Sequence, residues 1–197
     1  LTPFPLLCGL TRVAMLVMHG GVYLALKTHD PVAGRAARSA GWAAAALVVL
    51  FTICGIWLAA GIPGQVITAG AGHNAASNPL AKQVTLQAGA WLANYRIHRW
   101  LLLAPALGYL GALLALLALR TRRPGLGFIV SGLSVAGVVM TVGISLFPFL
   151  MPSSLEPQSG LTVWTTSRRQ LPKFLLLLAT LIFVPLILAY TALVFRV

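Results

Sequence analysis

Histidine is the side chain of this sequence best suited to bind a haem, and the chain has four of them. A membrane haem of the b type usually needs two axial histidines that face each other from neighbouring helices. Only His19 lies well inside an apolar stretch, whereas His29, His73 and His98 lie in or beside polar segments. The histidines therefore predict no haem site and no metal site within this chain.

The carboxylates and thiols also predict no metal or redox site in this chain. Asp30 and Glu156 are the only acids, and both lie outside the apolar stretches. Cys8 and Cys54 lie within apolar stretches but lack the CxxC or CxxCH spacing of redox and haem-attachment motifs. Proton pumps and ion-coupled transporters usually carry ionisable groups near the bilayer midplane. We therefore predict no catalytic residue in this chain, and we expect a scaffold whose partner holds the reactive groups.

Two polar side chains do occur inside the first apolar stretch. Arg12 and His19 are seven residues apart, so they lie on nearly the same face of a helix. An arginine at this depth costs about 2.5 to 3.5 kcal/mol on membrane-insertion scales. Two interpretations of Arg12 and His19 stay open, and one is that both side chains make interior polar contacts. The alternative is that Arg12 extends to the headgroups and that His19 satisfies a neighbouring carbonyl.

The elements that would position these residues are long apolar segments. Hydrophobic residues make up 59% of the chain and charged residues 8%, against about a quarter charged in soluble domains. A helix of about 20 residues spans a hydrocarbon core about 30 Å thick. The segments lack strict alternation, which favours helices over barrel strands. Five helices are predicted, at about 5–26, 40–62, 100–119, 126–150 and 174–195.

These helices predict an all-α integral membrane protein with one membrane domain over 1–197. We expect a four-helix bundle plus one peripheral helix, together forming half of a longer multi-helix subunit. The predicted external loops are 63–99 and 151–173. Within the first loop, residues 79–92 predict a short surface helix capped by Ser77 or Asn78.

The net charge of +12 does not indicate nucleic-acid binding, because no basic run is interleaved with aromatic residues. Two short loops, near residues 27–38 and 120–123, hold clusters of basic residues. The positive-inside rule places these loops in the cytoplasm, and with five spans it places the C-terminus there too.

Small and aromatic residues predict how the helices meet their surroundings. Trp91, Tyr95 and Trp100 predict an aromatic belt at the membrane interface. Small residues at helical spacing predict close helix packing in the third and fourth spans. They are Gly108, Gly111, Ala104, Ala112 and Ala115 in the third span, and Gly132, Ala136 and Gly143 in the fourth.

The exit from the fourth span carries a distinctive series of residues. Residues 145–154 read SLFPFLMPSS, and residues 161–164 read LTVW. This series resembles subunit II of the bacterial cytochrome bd quinol oxidases, where similar motifs lie between the last two helices. The resemblance marks a structural motif and no catalytic group. Its members are Phe147, Pro148, Pro152, Ser153, Ser154, Thr162 and Trp164.

Further motifs carry the same resemblance in the same order along the chain. They include SNPLAKQV at 77–84, APALG at 104–108 and LAYT at 188–191. The family's subunit II is about twice as long as this chain, so the chain resembles its C-terminal half. Gln83 and Gln87 stand where related sequences tend to have glutamate, and Trp164 is followed by Thr165 where they tend to have aspartate.

The resemblance implies a subunit of a quinol oxidase in the bacterial inner membrane, in which quinol is oxidised and oxygen is reduced to water. It implies a heterodimer in which this chain binds no cofactor and subunit I carries haem b and haem d. It also implies contact with quinol (ubiquinone is one candidate), with membrane lipids and with a small accessory subunit. Two other classes stay open: one repeat of a secondary transporter, and a haem-binding membrane anchor of a dehydrogenase.

Overall fold

The computed structural model describes residues 3–69, 82–153, 156–163 and 170–194, with the side chains of 170–173 excepted. Within these ranges, five helices are long and apolar enough to cross a membrane. This confirms the prediction of an all-α integral membrane protein. The helices are α1 (Pro3–Lys27), α2 (Val32–Gly61), the short α3 (Ala93–Ile97), α4 (Leu103–Arg120), α5 (Pro124–Leu146) and α6 (Gln170–Val194). A 3₁₀ segment, Arg99–Leu102, leads into α4.

The helix ends differ from their predicted positions by up to eight residues, and two of the differences have clear local reasons. Helix α2 begins at Val32 rather than near residue 40, because the intervening residues include three alanines and two arginines, which favour helix without being apolar throughout. Helix α5 ends at Leu146 rather than near residue 150. Pro148 lacks an N–H and forces the preceding Phe147 out of the helical region, to φ −57° and ψ 131°.

The loops contain four short strands. Strands β1 (Pro63–Ala69) and β2 (Gln83–Ala88) form one two-stranded sheet, and β3 (Phe149–Met151) pairs antiparallel with β4 (Leu161–Thr162). The predicted surface helix over 79–92 is therefore wrong for its described part, and residues 77–81 lie outside the described ranges.

The local sequence explains this correction. Val84 and Thr85 are β-branched and favour a strand. Gly89 then takes a left-handed conformation, with φ +71°, before a 3₁₀ turn over Ala90–Leu92. A helix could not pass through that conformation without interruption.

The chain divides by its internal contacts into two compact units. The first comprises 1–66 and 85–147, and the second comprises 67–84 and 148–197. In the first unit, α1 packs on α2 and α5, while α4 packs on α5 and α2. Met15, Met18 and Leu47 contribute to a shared core between these helices. The single membrane domain and the peripheral place of the fifth long helix stay predictions.

The contact between α4 and α5 is close because small residues meet there. A Cβ atom added to Gly111 would lie 2.7 Å from the Cβ atom of Ser134. The Ser134 hydroxyl donates a hydrogen bond of 2.7 Å to the Gly108 carbonyl across the same contact. The predicted packing through the glycines of α4 is thus confirmed. In α5 the close contact is made by Gly137, whereas no described atom lies within 4 Å of an added Cβ atom at Gly143, and the packing predicted there stays a prediction.

Candidate functional site

The C-terminal end of α5 is held by a side chain from the preceding loop. The last carbonyls of a helix have no partner within the helix. Asn94, in the short helix α3, donates from its Nδ2 atom to the Ile144 carbonyl at 2.7 Å and to the Phe147 carbonyl at 2.8 Å. Both donor hydrogens of one amide therefore fix the last turn of α5, where the exit motif begins.

Tyr95 adds a second anchor one residue further on. Its hydroxyl donates to the Thr141 carbonyl at 3.0 Å and lies 3.4 Å from the Ser145 hydroxyl oxygen. Tyr95 and Trp91 are both buried in the protein, whereas Trp100 is 67% exposed. The predicted aromatic belt is therefore wrong for Trp91 and Tyr95, whose rings pack against this chain.

The exit motif continues as a hairpin. The Val163 N–H donates to the Pro148 carbonyl at 3.0 Å, and Phe149 and Thr162 are paired between β3 and β4 and both buried. The Ser153 hydroxyl accepts a hydrogen bond of 3.2 Å from the Glu156 N–H.

The structure thus brings part of the predicted motif together. Phe147 is 52% exposed. Pro152 is half-buried and lies in the segment that follows β3 along the chain. Ser154 and Trp164 lie outside the described residues. The structural role of the motif as a whole stays a prediction.

A lysine within the predicted external loop 63–99 is buried beside this hairpin. Lys82 is 1% exposed, and its Nζ atom donates to the Gly160 carbonyl. Burial lowers the pKa of this ammonium below its ordinary value of 10.5, because a charged group loses solvation there. Gly160 is itself confined, since an added Cβ atom would lie 3.3 Å from the Met151 carbonyl oxygen and from the Ser153 nitrogen.

His19 meets α5 inside the first unit. Its Nδ1 atom lies 2.9 Å from the Ser131 hydroxyl oxygen, and its ring stacks on Phe128 with centroids 4.9 Å apart. The Ser131 hydroxyl also lies 3.0 Å from the Phe128 carbonyl, to which it donates. Since that uses the only hydroxyl hydrogen, Nδ1 of His19 is the donor to Ser131.

Arg12 has a different environment although it shares a helix face with His19. Its side chain is exposed, and it makes no hydrogen bond or ion pair with any residue in the described ranges. Arg12 and His19 are therefore not brought together in one polar site.

Potential metal ligands are scattered in the part of the chain that the structure describes. No group of three or more His, Cys, Asp or Glu side chains occurs there. Cys8 and Cys54 are free thiols, and His73 lies outside the described ranges. His19 has no second histidine opposite it among these residues, so the described side chains do not supply the facing pair of axial histidines that a b-type haem needs.

The five long apolar helices define a multi-pass membrane protein, and its described ranges contain no group of three or more potential metal ligands. The sequence model of the family described as cytochrome bd terminal oxidase subunit II matches residues 1–197, and the chain belongs to this family. The resemblance inferred from the motifs is thus confirmed.

Two relatives illustrate the similarity. The chain is 38% identical to the cytochrome bd-I ubiquinol oxidase subunit 2 of Escherichia coli (strain K12) over 98% of its own length and 51% of that protein. It is 37% identical to the probable cytochrome oxidase subunit 2 of Haemophilus influenzae over 97% of its length and 50% of that protein. The chain thus spans about half the length of the curated relatives that it matches.

Proposed function

We propose that this chain works within subunit II of a bacterial cytochrome bd-type quinol:oxygen oxidoreductase, as a scaffold for the haem-bearing subunit I. The family match over residues 1–197 is the observation that carries the proposal. The complex would oxidise quinol to quinone and reduce oxygen to water. Haem b and haem d would reside in subunit I, and this chain would contribute no catalytic group.

The described contacts support a scaffold role. Polar side chains at the contacts of α5 with α1 and with α4 are bonded to one another or to backbone carbonyls, as in the His19–Ser131 and Ser134–Gly108 pairs. Large apolar side chains on the same helices point outward, including Leu16 at 60% exposure and Ile129 at 63%. Such surfaces suit contact with lipid tails or with another membrane subunit.

The exposed apolar faces of α1 and α5 also support a role in shaping the environment of subunit I. We include in the proposal that the chain shapes the lipid or quinone environment there, and the proton environment on the side of the external loops. Quinol, membrane lipids and a small accessory subunit are the further partners that this role would involve.

We also propose a place in the bacterial inner membrane with the C-terminus in the cytoplasm. Leu26, next to Lys27 at the end of α1, lies 3.9 Å from the position of a Cβ atom on Gly125. Gly125 follows Arg122 and Arg123 closely, so basic residues of two loops lie at one end of the first unit. The positive-inside rule assigns that end to the cytoplasm.

Purification in mild detergent through a tag on the complete subunit tests the function. We expect a larger membrane subunit to co-elute, together with haem b and haem d bands in the reduced-minus-oxidised spectrum and oxygen consumption driven by quinol. An unrelated multi-pass protein with the same tag is the control. A subunit that elutes alone and colourless would contradict the proposal.

A further inference from the structure

Arg12 is a charged side chain in an unusual place. It lies less than one turn from Met15, the middle residue of α1, and its side chain is exposed on the surface of the first unit. It makes no hydrogen bond or ion pair with the residues of the described ranges. A guanidinium near the middle of a membrane-spanning helix needs a partner, because lipid tails cannot replace its lost solvation.

The partner cannot be an acid within a span of this chain. The full sequence contains only two acids, Asp30 and Glu156. Asp30 lies between α1 and α2, and Glu156 lies between α5 and α6. The opposing charge must therefore come from outside these 197 residues.

The surface around Arg12 is suited to contact with another helix. Val13 is 57% exposed and Leu16 is 60% exposed. Gly9, one turn away, has no described atom within 4 Å of an added Cβ atom, so a neighbouring helix could approach the backbone there. We call Gly9, Arg12, Val13 and Leu16 the Arg12 face.

We propose that the Arg12 face docks a membrane-spanning helix of the haem-bearing partner subunit, which presents a carboxylate to Arg12. A carboxylate matches the planar guanidinium with two parallel hydrogen bonds. A lipid phosphate is the weaker candidate, because it lies at the membrane surface whereas Arg12 lies near the helix midpoint. The inference rests on the proposed function, since the helix would belong to the same oxidase assembly.

Three variants of the complete subunit test whether the Arg12 charge is needed for assembly. Each variant is expressed with its oxidase partner. Arg12→Gln should lower the amount of assembled complex by about tenfold or more, since it leaves a membrane carboxylate without its partner. Arg12→Lys should restore most of the loss. Lys27→Gln removes one positive charge from the end of the same helix and should leave assembly unchanged. Equal assembly of Arg12→Gln and the unsubstituted complex would overturn the proposal.

Photo-crosslinking identifies what covers the face. A photoreactive residue at Leu16, with Arg12 intact, should form an adduct with a polypeptide segment that contains Asp or Glu. Substituting that acid by Arg in an Arg12→Glu background should restore assembly. Adducts with lipid alone would overturn the proposal.

The failures of the two proposals can be distinguished. If the unsubstituted subunit co-elutes with a haem-bearing partner and Arg12→Gln does so equally, the Arg12 proposal falls and the proposed function stands. If the unsubstituted subunit never co-elutes with a haem-bearing partner, the proposed function falls, and the Arg12 proposal falls with it.

Discussion

The α4–α5 contact and the Arg12 face both contain glycine on a membrane helix, yet they differ in what surrounds it. At Gly111 an added Cβ atom would lie 2.7 Å from Ser134, whereas at Gly9 it would meet nothing within 4 Å. The α4–α5 contact is complete within the chain, because the two helices pack closely and the Ser134 hydroxyl already bonds to the Gly108 carbonyl. The Arg12 face presents the charge of Arg12 and has no described atom close to Gly9. A glycine in a membrane helix therefore indicates close packing only when its neighbour is known.

The polar groups of the two surfaces sharpen this difference. The Ser134 hydroxyl crosses to the Gly108 carbonyl at 2.7 Å and is fully buried. Arg12 has five donor hydrogens and no acceptor of its own, so it depends on an external group. We therefore expect substitutions in the first surface to destabilise the isolated subunit, and substitutions in the second to affect assembly.

The largest effect is expected at Gly137 in α5. An added Cβ atom there would lie 2.8 Å from the Ala104 carbonyl oxygen and also against the Gly108 nitrogen. Gly137→Leu should destabilise the folded subunit by about 3 kcal/mol, since backbone atoms cannot move aside cheaply. Thermal unfolding in mild detergent measures this. Gly143→Leu, on the same helix but in open space, is the matched control and should change little; equal losses in both variants would show that the close contact is unimportant.

A smaller loss is expected at Asn94, which holds the end of α5. Asn94→Asp keeps the size of the side chain but removes both donated hydrogens, and it places carboxylate oxygens against the carbonyls of Ile144 and Phe147. We expect a destabilisation of about 1 to 3 kcal/mol. Hydrogen exchange at residues 147–151 should accelerate in this variant. Thr28→Ala removes a hydroxyl that donates to the Leu24 carbonyl at the end of α1, and it should leave that exchange unchanged.

Tyr95→Phe should have a more modest effect, because it removes one hydrogen bond while keeping the ring. The loss of the 3.0 Å bond to the Thr141 carbonyl should cost about 1 kcal/mol. Thermal unfolding again provides the measurement, with Tyr190→Phe as the control because Tyr190 is 69% exposed on α6. A Tyr95→Phe variant as stable as that control would show that this anchor does not stabilise α5.

The smallest effect concerns pH and Lys82. Its folded-state pKa is lowered by burial, so just below pH 10.5 the unfolded chain binds more protons than the folded one. The free energy of unfolding should therefore rise with pH in that window, as the cost of the buried charge disappears. Lys82→Met should show a smaller rise as the pH approaches 10.5 from below. An unchanged slope would mean that Lys82 keeps its ordinary pKa in the folded protein.

The sequence predicts the parts of this fold that depend on local composition. Apolar length alone locates the five membrane helices, and Pro148 explains why α5 stops at Leu146. Burial of Lys82 depends on Gly160, which is far away in the chain, so no local pattern announces it. The same holds for Asn94, whose two acceptors lie at the end of another helix.

Within the membrane helices, sequence predicts the kind of contact better than the residue that makes it. The small residues of α5 include Gly137 and Gly143, and only the register of α4 against α5 decides that Gly137 faces the Gly108 backbone. The surface helix was mispredicted because a proline-led segment favours helix locally, while pairing with β1 favours a strand over residues 83–88.

The most direct test of the contrast between the two surfaces compares Gly137→Leu and Arg12→Gln in one preparation series of the complete subunit. For each variant, the unfolding temperature of the subunit purified alone is measured beside the yield of haem-containing complex when the partner is co-expressed. We predict that Gly137→Leu lowers both quantities and that Arg12→Gln lowers only the yield of complex. A fall in the unfolding temperature for Arg12→Gln as large as that for Gly137→Leu would contradict the distinction between a complete inner surface and an incomplete outer one.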